Sequence, residues 1–247
     1  MKILRYAILS DIHGNIEAFH AVLKDLRKEG LQRIIYLGDI VGYGANPREC
    51  IDLLREKTDA IVAGNHDWGT AGKTDINSFN AAAQRVIKWT MSQLSPEHKD
   101  FLSKLPLIKT EDFFLYTHSS PIKPQEWRYI FSVCEALRNI KSLIRKEGCF
   151  IGHSHIPAAF MLERSGKIFA DTRLTKISIA KTSRFLINAG SVGQPRDGDR
   201  RASYGVFDSE ERIFVLHRVR YDIANAKQKI LSAGLPPILA ERIGEGW

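Results

Sequence analysis

Residues 3–15 read ILRYAILSDIHGN, an apolar run from Ile3 to Leu9 followed by Ser10 and then by Asp11, His13 and Asn15 among small or apolar residues. The run predicts a buried strand from Ile3 to Ser10. The polar residues that close it predict a loop at a strand's carboxyl end, where functional groups gather in open α/β sheets. From Asn15 to Gly30, Phe19, Val22, Leu23 and Leu26 recur at spacings of three and four, which is a helical stripe capped by Asn15 and stopped by Gly30. A strand over Arg33 to Leu37, a helix over Pro47 to Thr58 and a strand over Asp59 to Val62 complete a β-α-β-α-β pattern. That pattern predicts a right-handed, mostly parallel sheet.

Further along, Ser78 to Leu94 and Pro96 to Leu105 read as helices, Asp112 to Thr117 as a buried strand, Ser132 to Lys146 as a helix and Cys149 to Gly152 as a short strand. Beyond Pro157 the texture turns to β, with strands expected at Lys167 to Thr172, Arg184 to Asn188, Tyr204 to Phe207 and Arg212 to Val219, and a closing helix at Asp222 to Ser232. These later strands suggest a second, more antiparallel sheet. No repeat, low-complexity tract or Gly/Ser linker interrupts the chain. The expectation is one domain over residues 1–247 with two sheets packed together and helices outside.

Composition narrows the function. A chain of 247 residues, 44% of them hydrophobic, buries a sizeable core, which excludes a stapled mini-protein or a disordered tail. A net charge of +8 biases the surface toward anionic partners. Cys50, Cys134 and Cys149 show no CxxC spacing, against a disulfide framework or zinc ribbon, and are expected to be reduced core thiols. The N-terminal run is too short for a secretory leader and is broken by Asp11, and no stretch approaches the roughly 20 apolar residues of a membrane span. A cytoplasmic protein without a membrane partner is expected.

Five polar clusters fall where an expected strand ends: Asp11-Ile12-His13, Gly38-Asp39, Gly64-Asn65-His66-Asp67, Thr117-His118 and Gly152-His153-Ser154-His155. Five of the eight histidines lie in them, whereas His20, His98 and His217 sit in ordinary helical or strand context. One DxH or HxH after a strand is often a turn or a cap, but five such clusters can meet in space. Carboxylates, imidazoles and one carboxamide, without a thiolate, suit Mn, Fe, Zn or Ni and point to a hydrolytic metal site.

Together DIH, GDIVGYG, GNHD, the isolated His118 and GHSH resemble the calcineurin-like metallophosphoesterase superfamily, in particular its small bacterial and archaeal phosphodiesterase branch. The resemblance implies a four-layer α/β fold, with two mixed β-sheets packed as a sandwich and helices on the outer faces. It implies two divalent metal ions, manganese foremost with Fe, Ni or Zn as alternatives. Asp11, His13 and His155 would hold one ion, Asn65, His118 and His153 the other, and Asp39 would bridge them, a bridging hydroxide attacking phosphorus in line. A shared anionic ligand offsets the repulsion of two close dications, and the ions acidify the bridging water. His66, left without a metal, would protonate or hydrogen-bond the departing oxygen, with Asp67 placed to orient its ring. The bland alternatives are a His66 that merely supports Asp39 or Asn65, and an Asp67 that caps a loop.

Residues 188–199 resemble the branch's NPGSVGQPRDG stretch, with Ala189 in place of Pro. There Arg196 would reach a substrate phosphate with its planar fork, unless it pairs with Asp197 or Asp199 as part of a turn. Asn65, His66 and Tyr43 join it as expected substrate-binding residues, and Trp68, Trp127 and Tyr129 either rim the pocket or pack. Where the branch often has HGSP, this chain has His118-Ser119-Ser120-Pro121, so a Cβ stands beside a metal ligand. Gly42-Tyr43-Gly44 replaces the Asp-Arg-Gly of protein phosphatases, and Asp67 replaces their Glu, which weighs against protein phosphatase activity. The span from Glu163 to Arg184 carries six basic and two acidic residues and either steers an anionic substrate or forms a solvated hairpin.

The expected partner is a small phosphorylated substrate: a phosphodiester, a nucleotide or a dinucleoside polyphosphate. Nucleic acid is a less favoured substrate, because a nuclease of this family usually adds a DNA-binding cap. A homo-oligomer is compatible with the sequence. The competing non-enzymatic reading is a scaffold on the same fold, like the retromer subunit of this family, which typically lacks the leaving-group histidine retained here as His66.

Overall fold

A computed structural model describes residues 5–31 and 33–247, so Ile3 and Leu4 of the first expected strand lie outside the described residues. Strand β1 (Arg5–Leu9) pairs in parallel with β2 (Arg33–Tyr36) across helix α1 (Ile16–Lys28), as expected. Asn15 caps α1 by accepting from the Ala18 N–H at 3.1 Å. Residues 59–62 do not form the expected third strand. Ile61 alone bridges Tyr36 and returns the chain from α2 (Pro47–Lys57) to α3 (Asn65–Thr70). The other neighbour of β1 is a late strand, antiparallel β10 (Ala202–Asp208).

The expected split into an early parallel sheet and a late antiparallel one is therefore corrected: both sheets are mixed. One has the order β2-β1-β10-β11-β8, where β8 is Lys176–Ser178 and β11 is Ile213–Val219. The other has the order β3-β4-β5-β9-β6-β7, built from Ile108–Glu111, Phe114–Thr117, Gly148–Ile151, Arg184–Asn188, Ala158–Leu162 and Ile168–Asp171 respectively. Local pattern shows that a strand exists but not which neighbour it takes.

Side-chain alternation sorts the core into layers. In β1, Ala7 and Leu9 face α1 and α2 with Phe19, Val22, Cys50 and Ile51. Tyr6 and Ile8 face the second sheet and share a cluster with Phe114, Phe150, Phe185, Phe207 and Phe214. Beyond that sheet, Cys149, Ile151 and Leu186 pack on α6 (Val133–Ser142). This α-β-β-α stacking is the expected four-layer sandwich. Helix α6 is opened by a capping box of Ser132 and Glu135 and ends before the expected Lys146. Helices α4 (Ala81–Gln93), α7 (Ile223–Ser232) and α8 (Pro237–Glu245) form a further cluster around Tyr43, and α5 (Pro96–Lys104) caps the first sheet. Strands β3, β6 and β8 and helices α3 and α8 were not foreseen from the sequence. Cys50 and Cys149 are buried thiols as expected, but Cys134 is exposed on α6. No helix among the described residues is long and apolar enough to cross a membrane.

Candidate metal centre

Within each of the parallel pairs β1/β2 and β4/β5 the carboxyl ends point the same way; four of the five polar clusters leave from those ends, and the fifth, Gly64 to Asp67, follows the isolated bridge of Ile61 to β2. Asp11, His13, Asp39, His153 and His155 all have positive φ, between 49° and 68°. Left-handed backbone costs a non-glycine residue about 1–2 kcal/mol, and such strain marks sites where side chains must be aimed rather than relaxed. Close approach also demands glycine: a Cβ on Gly64 would lie 2.0 Å from Asp39 Oδ1, and one on Gly42 would lie 2.5 Å from His66 Nδ1.

All seven expected ligands converge on one buried place. His13 Nε2 lies 3.0 Å from His155 Nε2, and Asp11 Oδ1 lies 3.2 Å from His155 Nε2 and 3.6 Å from His13 Nε2. Alongside, His118 Nε2 lies 3.1 Å from His153 Nδ1 and 3.2 Å from Asn65 Oδ1. Asp39 Oδ2 stands between the two groups, 3.5 Å from His13 Nε2 and 3.3 Å from His118 Nε2.

The imidazoles are oriented from behind. His13 Nδ1, His118 Nδ1, His153 Nε2 and His155 Nδ1 meet the backbone carbonyls of Val41, Leu37, Trp127 and Gln194 at 3.0, 2.7, 2.8 and 2.5 Å. A carbonyl only accepts, so each outer nitrogen carries a ring proton, and each inner nitrogen of a neutral ring turns a lone pair to the centre. Asp11 Oδ1 is likewise buried without a hydrogen-bond donor. Lone pairs packed this closely need positive charge among them, as protons or metal ions. Donors about 2.0–2.2 Å from a shared cation sit roughly 3.0–3.5 Å apart, so these residues fit two ions.

Protonation shows the same demand. Burial opposes charge on Asp11, but the imidazoles of His155 and His118 hold its carboxyl well below the usual range. Asp39 is also held low, mainly by His118 and His66 against its burial. Burial disfavours charge on His118 too, yet the Asp39 and Asp11 carboxylates push it up to about 9. Burial pushes His153 down to about 3 and, helped by Arg196, His155 down to about 4. At pH 7.5, in the metal-stripped protein, His118 therefore carries a proton that its neighbours His153 and His155 lack. Ion binding at pH 7.5 is expected to release about one proton from the His118 position, falling toward zero above pH 9, as read by titration calorimetry in buffers of different ionisation enthalpy. No release at pH 7.5 would contradict this.

Asp67 does not orient His66, and that expectation is corrected. Its carboxylate accepts from the backbone N–H groups of Asp39 (2.8 Å), Ile40 (2.9 Å), Gly64 (3.0 Å) and Val41 (3.3 Å). It thereby pins the two loops that carry Asp39 and Asn65. Burial and the Asp39 charge raise this carboxyl to about 7, opposed by those N–H donors. Asp67→Ala would leave these donors unpartnered and is expected to destabilise the fold by about 3 kcal/mol, roughly 6–12 °C in thermal midpoint for a chain of this size. An unchanged midpoint with lost turnover would restore the orienting role.

His66 is buried at 2% exposure, and its backbone N–H donates to Asp39 Oδ1 at 2.8 Å. Its ring lies between Tyr43 and Phe79, with Nδ1 buried and unpartnered, and burial holds its pKa well below the ordinary value. Arg196 is not paired with Asp197 or Asp199, which bond Arg218 and Arg201. Instead its Nε and Nη2 hold Gln194 Oε1 at 3.3 and 2.8 Å, and the guanidinium lies 5.5 Å above the Tyr43 ring.

A cavity of about 320 Å³ opens over the cluster, lined by Asp39, Asn65, His66, His153 and His155 below and by Tyr43, Arg196, Phe79, Asn80, Glu126, Trp127 and Tyr129 around. Phe79, Asn80 and Glu126 were not foreseen, since nothing local marks them. Trp127 rims the cavity and packs on Trp68, both of its expected alternatives, and its carbonyl also orients His153. Tyr129 stacks on His153 at 4.0 Å and on Phe131 at 5.3 Å. Trp68 packs edge-on to Trp127. The basic segment 163–184 lies remote from the cavity: β6 leaves the site at Ala158, β9 returns to it at Asn188, and each strand spans roughly 15 Å.

Residues 4–212 match the calcineurin-like phosphoesterase superfamily domain. The chain belongs to that family. It is 41% identical over 242 residues to an uncharacterised protein of Methanocaldococcus jannaschii, covering 96% of both chains. It is also similar to the metallophosphoesterase from Sphaerobacter thermophilus, at 36% identity over all of both chains with a TM-score of 0.86. The phosphodiesterase YfcE of Escherichia coli is 25% identical over 215 residues, covering 84% of this chain and 89% of that one. With its fold and donor cluster, the chain is a metal-dependent phosphoesterase.

Proposed function

We propose that this phosphoesterase cleaves a small phosphodiester, nucleotide or dinucleoside polyphosphate at a centre of two divalent ions, manganese foremost. The observation that carries the reading is the place of Asp39 Oδ2, within 3.5 Å of an imidazole nitrogen from each donor group. Asp11, His13 and His155 would hold one ion, Asn65, His118 and His153 the other, and Asp39 would serve both. When bound, such ions supply a nucleophile from water at neutral pH and neutralise charge developing on phosphoryl oxygens.

This chain's side chains do the rest. Arg196, pre-oriented by Gln194 and Tyr43, presents its remaining N–H groups to a non-bridging phosphate oxygen. Tyr43 shapes the wall beside it, and Asn65 adds a contact at the phosphoryl group. His66 faces the departing oxygen: substrate negative charge raises the ring's affinity for a proton, and that proton passes to the oxygen as the P–O bond breaks. A cavity of about 320 Å³ suits a small molecule, and the relative named as a phosphodiesterase favours a diester over a phosphoprotein.

The test is hydrolysis of bis-p-nitrophenyl phosphate and p-nitrophenyl phosphate by metal-stripped protein after adding back Mn, Ni, Mg or Zn. Diester cleavage restored by Mn is expected. Monoester cleavage alone would move the substrate to nucleotides, and no turnover with any ion would contradict the reading.

A further inference from the structure

Three of the four imidazoles in the cluster are oriented by carbonyls of the buried frame: Val41, Leu37 and Gln194 are at most 1% exposed. His153 differs. Its outer nitrogen meets the carbonyl of Trp127, in the connection between β4 and α6 where Lys123, Gln125, Glu126 and Arg128 are exposed. That stretch joins no sheet; its start is tied to α6 by Asn139 Oδ1, which accepts from Ser120 Oγ at 2.6 Å and from the Ile122 N–H at 3.3 Å, and both Lys123 and Trp127 adopt left-handed backbone.

At Trp127 the backbone is aimed by a relay of hydrogen bonds, beside the edge-on contacts of the Trp127 ring with Trp68 and His118. Ser119, buried at 2% exposure, donates from Oγ to the carbonyl of Pro124 at 3.0 Å. The same carbonyl accepts from the Trp127 N–H at 3.1 Å, closing the short turn Pro124–Glu126. The Trp127 carbonyl then accepts from His153 Nε2 at 2.8 Å, and His153 Nδ1 faces His118 Nε2 at 3.1 Å. Ser119 follows His118 directly in the chain, so the relay closes a ring between two donors of one group. Glycine at 119 would leave the Pro124 carbonyl with the Trp127 N–H alone.

We infer that Ser119 is a positioning residue for the ion held by Asn65, His118 and His153, acting through the Pro124 and Trp127 carbonyls on the His153 ring. This rests on the metal reading above. Partners that orient a metal-bound histidine from behind typically set metal affinity by 10–100-fold, so the effect should fall on one ion and spare the one held by Asp11, His13 and His155.

The test is calorimetric titration of manganese into metal-stripped wild type, Ser119→Ala and Ser119→Thr. Two affinities are expected in the wild type, one of them weakened about 10-fold or more in Ser119→Ala and restored by the threonine hydroxyl. A second readout needs no ion: in metal-stripped protein labelled with ¹⁵N-histidine, the His153 Nε2 proton should exchange faster in Ser119→Ala while those of His13, His118 and His155 keep their rates. Should Ser119→Ala not fold, Ser119→Cys, similar in shape but a weak donor, gives the same comparison. Unchanged affinities would overturn the inference, as would equal weakening of both ions with a lowered thermal midpoint. A wild type binding fewer than two ions would overturn the metal reading itself, and this inference with it.

Discussion

Asp39→Asn is expected to lower metal-dependent turnover about a thousandfold, equivalent to about 4 kcal/mol of transition-state stabilisation at 1.36 kcal/mol per factor of ten. The substitution is nearly isosteric, and the Asn oxygen can keep the hydrogen bond that Asp39 Oδ1 accepts from the His66 N–H. The change falls on Oδ2, where an amide nitrogen would replace the oxygen that faces His13 and His118. Without that anion, two close dications repel unopposed, so bound manganese should drop from two ions per chain to one or fewer. Turnover within tenfold of wild type, with two ions bound, would remove Asp39 from the centre.

His66→Ala should lower kcat by about 10²–10⁴, the usual worth of a positioned general acid, with both ions retained. The loss should grow with the basicity of the leaving oxygen: modest for p-nitrophenolate, which departs without a proton, and largest for an alkoxide. Equal losses for both leaving groups would reduce His66 to a support for Asp39. Loss of an ion would make it a ligand, an outcome the geometry poses sharply because donor atoms of His13, Asp39 and His66 lie within 4.8 Å of one another.

How far the sequence reaches is clearest at β1. Its apolar run, the polar residues after Leu9 and the cap of the following helix at Asn15 are local properties, and the structure has them where the pattern places them. The partner of β1 is not local: β10 arrives from nearly two hundred residues away, and no periodicity announces it. Residues 59–62 read as a strand because Ala60, Ile61 and Val62 are apolar and the stretch follows a helix, yet only Ile61 pairs. Convergence at the metal centre was legible because ligand chemistry restricts residue types to Asp, His and Asn. The groups that orient those ligands were not, because most are backbone carbonyls, which any residue supplies. Asp67 shows the same limit from the other side, since its neighbours are four backbone N–H groups rather than the adjacent ring.

The most direct measurement is anomalous diffraction from crystals of the protein soaked in manganese. Two peaks per chain are expected, one among Asp11, His13 and His155 and the other among Asn65, His118 and His153, with Asp39 Oδ2 within bonding distance of both. A single peak, or two peaks that Asp39 does not touch, would contradict the shared centre.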